Sequence, residues 1–120
     1  MIRKFKFDYD YENDSLFLYD PKSKSKASVE LDDLIIDYNN KKEVSGIELL
    51  NTSSFFKDIS CNGFKVDKDT LKDIKDCKID VIPKNNFFII KFILLFKSKK
   101  QIITPVIIPK VTEPSHALAY

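Results

Sequence analysis

Short segments of alternating apolar and polar residues dominate the first half of the chain. From Phe5 to Tyr9 the odd positions are aromatic and the even positions are charged, a period of two that is typical of a half-buried strand. The polar stretch 11–14 favours a turn, because Asn and Asp bond readily to their own backbone. Residues 16–19 are apolar again, so the sequence predicts a β-hairpin.

Further segments extend this hairpin into a predicted meander. We interpret residues 27–38 as one strand that bends or bulges at its centre, at Asp32 and Asp33. An Asn-Asn-Lys-Lys sequence then favours a tight turn, and residues 44–50 are the returning strand. Gly46 inside that strand indicates a bulge or a close approach of the backbone. The first half is thus predicted to be a four-stranded antiparallel meander.

Two short helical segments are predicted in the middle of the chain. The sequence Asn-Thr-Ser-Ser-Phe-Phe, from residue 51, is typical of a helical turn whose N-terminus is capped by a Ser or Thr hydroxyl. A second, amphipathic helix is predicted over 67–77, because Leu71, Ile74 and Cys77 recur at helical spacing behind an aspartate N-cap at 67 or 69.

The rest of the chain returns to β structure. Strands are predicted at 79–82, 87–96 and 101–108, joined by two turns. Pro105 removes a backbone donor, which restricts the last strand to a sheet edge or a bulge. The predicted fold class is α+β, mainly an antiparallel β-sheet built as a hairpin meander, with one or two short helices.

Length and composition are those of one ordinary globular domain. The chain has 120 residues, 43% hydrophobic and 32% charged, far from the composition of disordered or membrane proteins. We expect a single domain over 1–120, with the meander at 1–55, a short helix plus β-hairpins at 56–110, and a loose tail at 111–120. The N-terminus lacks an apolar signal segment, and the longest apolar run is too short to span a membrane. A cytoplasmic protein without a membrane partner is therefore expected.

The formal net charge of +2 is unevenly distributed. Residues 1–60 carry −3 and residues 61–120 carry +5. An asymmetry of this kind steers a partner or pairs two copies, and a basic second half is one route to nucleic-acid binding. The candidate phosphate-contacting residues are Lys97, Lys99 and Lys100, with Lys84 and Lys110 as further cations. The competing interpretation is that lysines at a hairpin tip keep sheet edges from pairing.

Acidic residues at alternate positions of the first hairpin raise the question of a cation site. Asp8, Asp10 and Glu12 have the spacing of the ligands at positions one, three and five of a calcium loop. Asn13 stands where that loop needs Gly, however, and Tyr19 stands where it needs a bidentate Glu. Alternate acids along a strand are typical of its solvent side. A carboxylate metal site at Asp8, Asp10 and Asp14 is the competing hypothesis.

No catalytic residue, metal ligand or cofactor is expected. A second acidic set lies on the later strands of the meander, but acid–base chemistry needs a defined carboxylate separation and a raised pKa. Its members are Asp32, Asp33, Asp37 and Glu48. His116 is the sole histidine and lies near the C-terminus, and Cys61 and Cys77 lack the paired spacing of a zinc site. The cysteines are expected to be small buried residues or free thiols.

Two blocks resemble a widespread, uncharacterised prokaryotic family of short proteins, a domain of unknown function. The first is YDYENDSLFLY, from Tyr9 to Tyr19, and the second is VELDDLIIDYNNKKEVSGIELLNTS, from Val29 to Ser53. The chain departs from the family pattern at its NNKKE turn, where Asp-Gly is commoner, and at Ser15, where Ala is usual. Residues 56–120 resemble what is expected of longer archaeal members.

The resemblance implies no enzymatic activity or cofactor. Some family members are regarded as antitoxin-like partners of neighbouring small toxins, so the resemblance implies a non-enzymatic protein-interaction module. The positions that match the family pattern are structural: Tyr9, Asp10, Asp14, Leu16, Asp37, Tyr38, Gly46, Ile47, Glu48 and Leu50. Nucleic-acid binding through the basic second half is the alternative.

The segment Phe87 to Phe96 predicts self-association. Its even positions form one apolar face, and its odd positions form a second face interrupted only by Lys91. A strand that is apolar on both sides must be covered on both sides, and one short helix is too small to cover ten residues of strand. We expect a homodimer that buries part of the second face. The candidate partner interface consists of Phe87, Ile89, Ile93 and Leu95.

Overall fold

The computed structural model describes residues 2–59 and 66–110. Within these ranges the chain forms eight strands and two short helices. Their bounds are β1 Ile2–Asp10, β2 Ser15–Tyr19, β3 Ala27–Leu31, β4 Leu34–Tyr38, β5 Val44–Leu49, α1 Thr52–Ile59, α2 Lys68–Lys72, β6 Ile74–Pro83, β7 Phe87–Phe96 and β8 Gln101–Pro109. The predicted tail at 111–120, Cys61 and His116 lie outside the described residues.

All these strands join one antiparallel sheet in the order β3-β4-β5-β2-β1-β6-β7-β8. The prediction of a mainly antiparallel sheet with one or two short helices is confirmed. The strand predicted at 87–96 has those bounds in the structure, and β8 forms an edge of the sheet, as Pro105 requires.

Strand β1 connects the two halves of the sheet by pairing differently along its length. Its first residues, Ile2–Phe5, pair with β6, whereas Lys6–Asp10 pair with β2. The first half-sheet, β2 to β5, and the second half-sheet, β6 to β8, are therefore offset along β1. Each leaves a notch beside the stretch of β1 with which it does not pair. Helix α2 occupies one notch, where Asp69 accepts a hydrogen bond from the Tyr11 hydroxyl at 3.0 Å. The other notch lies beside Arg3.

The core lies on the face of the sheet that carries α1. Every even-numbered residue of β7 is buried on this inner face, and Phe92 makes edge-to-face contacts with Phe55 and Phe56 of α1 at centroid distances of 6.1 and 6.2 Å. The sheet curls around the helix. Consequently the β3–β4 turn and the end of β8, which belong to opposite edges, line one apolar groove of about 350 Å³ together with Phe55.

The segment 27–38 is two strands, so its interpretation as one bent strand is wrong. Leu31 pairs with Leu34 across a two-residue turn, and Asp32 adopts a φ of 54° there. Aspartate tolerates this left-handed conformation better than most residues, which allows a tight hairpin. Val29 and Ile36 then share the inner face.

The predicted order of a simple meander is also wrong. Strand β2 pairs with β5 rather than with the strand that follows it, because β3, β4 and β5 form a unit that folds back over the loop 20–26. Strand β5 is almost completely buried, and its central position between β4 and β2 covers it on both edges.

The helix predicted over 67–77 ends at Lys72, and β6 begins at Ile74. Asp67 is the N-cap, accepting a hydrogen bond from the Thr70 N–H at 2.9 Å. Ile74 and Cys77 are both buried although they lie three residues apart on a strand, because a register shift between Ile74 and Asp76 reverses the alternation. Because of this bulge, the buried residues at the start of β6 recur at the spacing of a helix.

Gly46 lies beside a bulge and at a close approach of the backbone, the two features that a glycine inside a strand indicates. The β4–β5 register shifts opposite Asp37 and Tyr38, so that Ser45 is the extra residue of a bulge. A Cβ on Gly46 would lie 3.1 Å from Asp37 Oδ2 and 3.3 Å from the Leu18 carbonyl oxygen. The absence of a side chain at this position therefore allows the close approach of its neighbours.

We expect Gly46→Val to destabilise the protein by roughly 1–3 kcal/mol, because the added atoms force the Leu18 backbone and Asp37 apart. Lys6→Val is the control, since Lys6 is exposed in the same cross-strand row, next to Tyr19, and should change stability by less than about 0.5 kcal/mol. Urea unfolding of both variants measures the difference. Equal stability of the two variants would show that Gly46 is not required for packing.

Candidate functional site

The acidic residues of the first hairpin point in different directions. Asp8 and Asp10 are exposed on the outer face, the side of the sheet away from α1. The Asp10 carboxylate accepts hydrogen bonds from the Asn13 side chain at 2.7 Å and from the Asn13 N–H at 3.1 Å, and these bonds lower the pKa of Asp10. Asp14 faces α1 instead. The three carboxylates therefore do not converge on one position.

Asp14 joins the hairpin turn to the start of α1. Its carboxylate accepts hydrogen bonds from the Tyr9 hydroxyl at 2.6 Å, from the Ser53 hydroxyl at 2.6 Å and from the Ser53 N–H at 3.2 Å. Asp14 has a φ of 52°, which turns its side chain toward the helix. A carboxylate at a helix N-terminus is favoured by the exposed N–H groups and the helix dipole. The arrangement is a structural cap.

The predicted Ser or Thr cap of α1 is thus wrong in its chemistry. The Thr52 hydroxyl donates to the Leu49 carbonyl at 2.8 Å, and the Ser53 hydroxyl donates to Asp14. Both hydroxyls act as donors, and the acceptor for the helix N–H comes from a residue 39 positions away in sequence. Sequence reasoning at the helix start has no access to that partner.

The second acidic set is divided between the outer face of the sheet and the β3–β4 turn. Asp37 accepts a hydrogen bond from the Ser28 hydroxyl at 2.5 Å on the outer face, and Glu48 is separated from Asp8 by Phe17, which pairs with both. Asp32 and Asp33 lie at the β3–β4 turn. Among the residues that the structure describes, no three His, Cys, Asp or Glu side chains are close enough to hold a metal ion.

Cys77 is a buried residue of β6. Burial raises the pKa of its thiol to about 12, with a smaller contribution from Asp76. The thiolate is therefore strongly disfavoured, and Cys77 is a packing residue. This agrees with the expectation of a small buried side chain.

The lysines of the second half divide between the two ends of β7. Lys97, Lys99 and Lys100 lie in the exposed turn between β7 and β8, whereas Lys84 and Lys110 lie at the opposite end. A ten-residue strand separates the groups by about 33 Å. The turn is also attached to the end of α2, because the backbone N–H of Lys97 donates to the backbone carbonyl of Asp73 at 2.9 Å. These five cations do not share one surface.

A basic cleft, which sequence reasoning missed, opens in the notch beside Arg3. It has a volume of about 350 Å³ and is lined by the loop after β2 and by the turn before β5. Its cations are Arg3, Lys22, Lys24, Lys26 and Lys41. The signal in the sequence is the alternation of lysine and serine at 22–26, a pattern that is also typical of an ordinary polar loop.

The outer face of β6, β7 and β8 carries an apolar patch. Two cross-strand rows contribute to it: Ile82, Ile89 and Ile107 pair in one row, and Lys78, Ile93 and Ile103 pair in the other. Ile103 is 51% exposed and Ile107 is 66% exposed. The apolar outer patch consists of Ile82, Phe87, Ile89, Ile93, Leu95, Ile103 and Ile107. It contains all four residues of the candidate partner interface, each of them partly exposed.

In the described part of the chain, no helix has the length and apolar character needed to cross a membrane.

Replacing Asp14 tests its assignment as a cap. We expect Asp14→Ala to lower the free energy of unfolding by about 1–3 kcal/mol, because Tyr9 and Ser53 lose their acceptor. Asp8→Ala, at an exposed position of the same hairpin, should change it by less than about 0.5 kcal/mol. Urea unfolding with and without calcium, magnesium or manganese measures both. Stabilisation of the wild type by any of these ions that Asp14→Ala abolishes would favour the metal-site hypothesis.

Three buried or partly buried groups predict alkaline destabilisation. Burial raises the pKa of Cys77 and of Tyr38 to about 12, and burial together with the hydrogen bond to Asp14 raises the pKa of Tyr9. Because each folded-state pKa exceeds its unfolded value, the stability contributed is present below about pH 9 and is lost as the pH rises above it. Urea unfolding between pH 7 and 11 should show this decline, with a smaller slope above pH 10 in Tyr9→Phe. A free energy of unfolding that stays constant to pH 11 would contradict the assignment.

Comparison with known proteins places the chain in a family. The model of the family described as "Protein of unknown function (DUF2283)" matches residues 6–53. The chain is also 39% identical over 91 residues to the uncharacterized protein MJ0789 of Methanocaldococcus jannaschii, an alignment that covers 74% of this chain and 72% of that protein. No solved structure is significantly similar to the chain. The residues matched by the family model extend from β1 into α1 and include Tyr9, Asp14 and Ser53, and the chain belongs to this family of uncharacterised short proteins.

Proposed function

We propose that the protein is a non-enzymatic protein-interaction module that associates with a second copy of itself through the apolar outer patch. The observation that supports this is the strand β7, which is apolar on both faces but is covered on only one of them by the residues that the structure describes. Its inner face packs against α1 and the first half-sheet. Its outer face is partly exposed, together with Ile103 and Ile107 on the neighbouring strand.

Charge complementarity favours a second copy as the occupant of the patch. Between the two cross-strand rows runs a row in which Asp80 pairs with Lys91 and Lys91 with Pro105. A two-fold axis parallel to the strands and between β6 and β7 sets Lys91 of each protomer opposite Asp80 of the other. An isologous interface of this kind places opposite charges together and sets Ile82 of each protomer against Ile89 of the other.

The free edge of β8 favours packing through the face rather than through added strand pairing. The Lys110 N–H donates to the Asn86 carbonyl at 3.1 Å, so the even-numbered N–H groups of β8 face β7 and the odd-numbered ones face outward. Pro105 and Pro109 occupy two of these outward positions and remove their donors. An incoming strand would find an interrupted ladder.

The area of the patch sets the expected strength of association. Strands β6 to β8, which carry the patch, cover roughly 430 Å² if they are about nine residues long and about 4.8 Å apart. Two copies would bury roughly 860 Å², below the roughly 1,200–2,000 Å² of stable specific interfaces. A weak dimer that dissociates on dilution is therefore expected.

Light scattering across concentrations from about 1 to about 500 micromolar tests the proposal. The mass should rise from the 14.0 kDa of the protomer toward twice that value. We expect the double variant Ile103→Glu and Ile107→Glu to stay monomeric at all concentrations, because four buried carboxylates per dimer would lack partners. These positions are exposed, so the fold should persist, whereas Ile93→Asp at a partly buried position risks unfolding the protein.

Phe17→Glu is the matched control, since Phe17 is 39% exposed on the outer face of the other half-sheet. It should dimerise as the wild type does, and so should Lys99→Glu in the β7–β8 turn. A wild-type mass of 14.0 kDa throughout, or dissociation by Phe17→Glu but not by the isoleucine variant, would overturn the proposed interface.

An antitoxin-like role, which the family resemblance suggests, is a narrower proposal about a different partner. It predicts that the product of a short neighbouring gene co-purifies with the protein from its native host and suppresses growth when expressed alone. The double isoleucine variant then shows whether such a partner uses the same patch. Consistent purification of this protein without a partner would count against the antitoxin-like role and would leave self-association untouched.

A further inference from the structure

The basic cleft is a second surface, which differs from the apolar outer patch in its charge and in the elements that form it. It exists because β2 ends at Tyr19 while β1 continues to Ile2, so the first residues of β1 have no strand beside them on that side. The loop 20–26 and the turn 39–43 close around the notch, and Arg3 crosses it by donating to the Val44 carbonyl.

Hydrogen bonds hold both walls of the cleft in place. Asn39 donates to the Ser23 hydroxyl at 3.0 Å and thereby ties the β4–β5 turn to the loop after β2. The Asn39 side-chain oxygen also accepts from the N–H groups of Lys41 and Glu43 at 2.9 and 3.0 Å. On the other wall, Asp20 accepts from the Lys22 N–H at 2.9 Å. The backbone that carries the lysines is therefore ordered before any ligand binds, which lowers the entropic cost of binding.

The charge of the lining is strongly positive. Five cations face two carboxylates, Asp20 and Glu43, which gives the cleft a formal charge of +3 against +2 for the whole chain. Both carboxylates already accept hydrogen bonds, Asp20 from the Lys22 N–H and Glu43 from the Asn39 side chain at 3.2 Å. Concave walls of one sign concentrate the electrostatic potential and attract anions.

We propose that the basic cleft binds a small molecule that carries two or three linked phosphate groups. Lys22, Lys24 and Lys26 lie at alternate positions of the loop and so spread their charge over more than one phosphate. A volume of about 350 Å³ is at the lower end of small-molecule sites, which suits an oligophosphate better than a folded polymer. This proposal is independent of self-association.

Calorimetric titration of the full chain with tripolyphosphate at 50 and 150 mM salt is the test. We expect binding that is tighter than that of orthophosphate and that weakens with salt, because exposed charges are screened. The variant Lys22→Gln with Lys24→Gln should bind tripolyphosphate about tenfold more weakly or worse, since two charge-assisted contacts are lost. The matched control, Lys97→Gln with Lys99→Gln, has the same change of charge at the hairpin turn and should bind within about twofold of the wild type.

Amide chemical shifts of the wild type locate the site without any substitution. Tripolyphosphate should move the signals of residues 20–26 and 39–43 and of the Asn39 side-chain amide, and leave 97–100 unchanged. No binding of tripolyphosphate at millimolar concentration would overturn the proposal, as would equal weakening by both double variants. Tighter binding of a single-stranded RNA oligonucleotide than of tripolyphosphate, lost with Lys97 and Lys99, would overturn it in favour of nucleic-acid binding by the second half.

Discussion

The divided pairing of β1 is the constraint on which the rest of the structure depends. One nine-residue strand serves two half-sheets, with Ile2–Phe5 bonded to β6 and Lys6–Asp10 bonded to β2. Backbone N–H and C=O groups need partners when they are buried, so each unpaired stretch of β1 must be exposed or covered. Helix α2 lies beside the end of one stretch, where Asp69 accepts a hydrogen bond from the Tyr11 hydroxyl. The other stretch borders the basic cleft, which makes the cleft a consequence of strand pairing rather than of loop composition.

Two bulges adapt the strands to this arrangement. Each inserts one residue, Ser45 in β5 and Lys75 in β6, and each lets two apolar residues three positions apart face the core. Val44 and Ile47 do so in the first half-sheet, and Ile74 and Cys77 in the second. Bulges also increase the local twist of a sheet, which helps the two edges to approach each other around α1. The groove between the β3–β4 turn and β8 is where they meet.

Asp14 fixes α1 relative to this curved sheet. The helix has eight residues, too few to be stable alone, and its position depends on the Asp14 cap and on the contacts of Phe55 and Phe56 with Phe92. These contacts span both half-sheets, since Asp14 follows β1 and Phe92 belongs to β7. The family model matches residues 6–53, which include the cap but not Phe55, Phe56 or Phe92, so the packing of α1 against β7 lies outside the matched residues.

The sequence by itself determined the features that depend on neighbouring residues. The strand Phe87–Phe96, the turn that follows it, an aspartate N-cap at 67 or 69 and the close approach at Gly46 follow from a period of two, from turn or capping chemistry or from a single small residue. The same alternation shows in the sequence that both faces of β7 are apolar, and this predicts the candidate partner interface.

Only the tertiary structure decided which strands pair and where the alternation reverses. The fold-back of β5 onto β2, the bulge that gave β6 a helical spacing, and the Asp14 cap all depend on partners distant in the sequence. The same holds for the basic cleft, where Arg3 meets lysines from two separate loops. A one-dimensional pattern records which face a side chain prefers, whereas pairing depends on the free energy of alternatives that involve the whole chain.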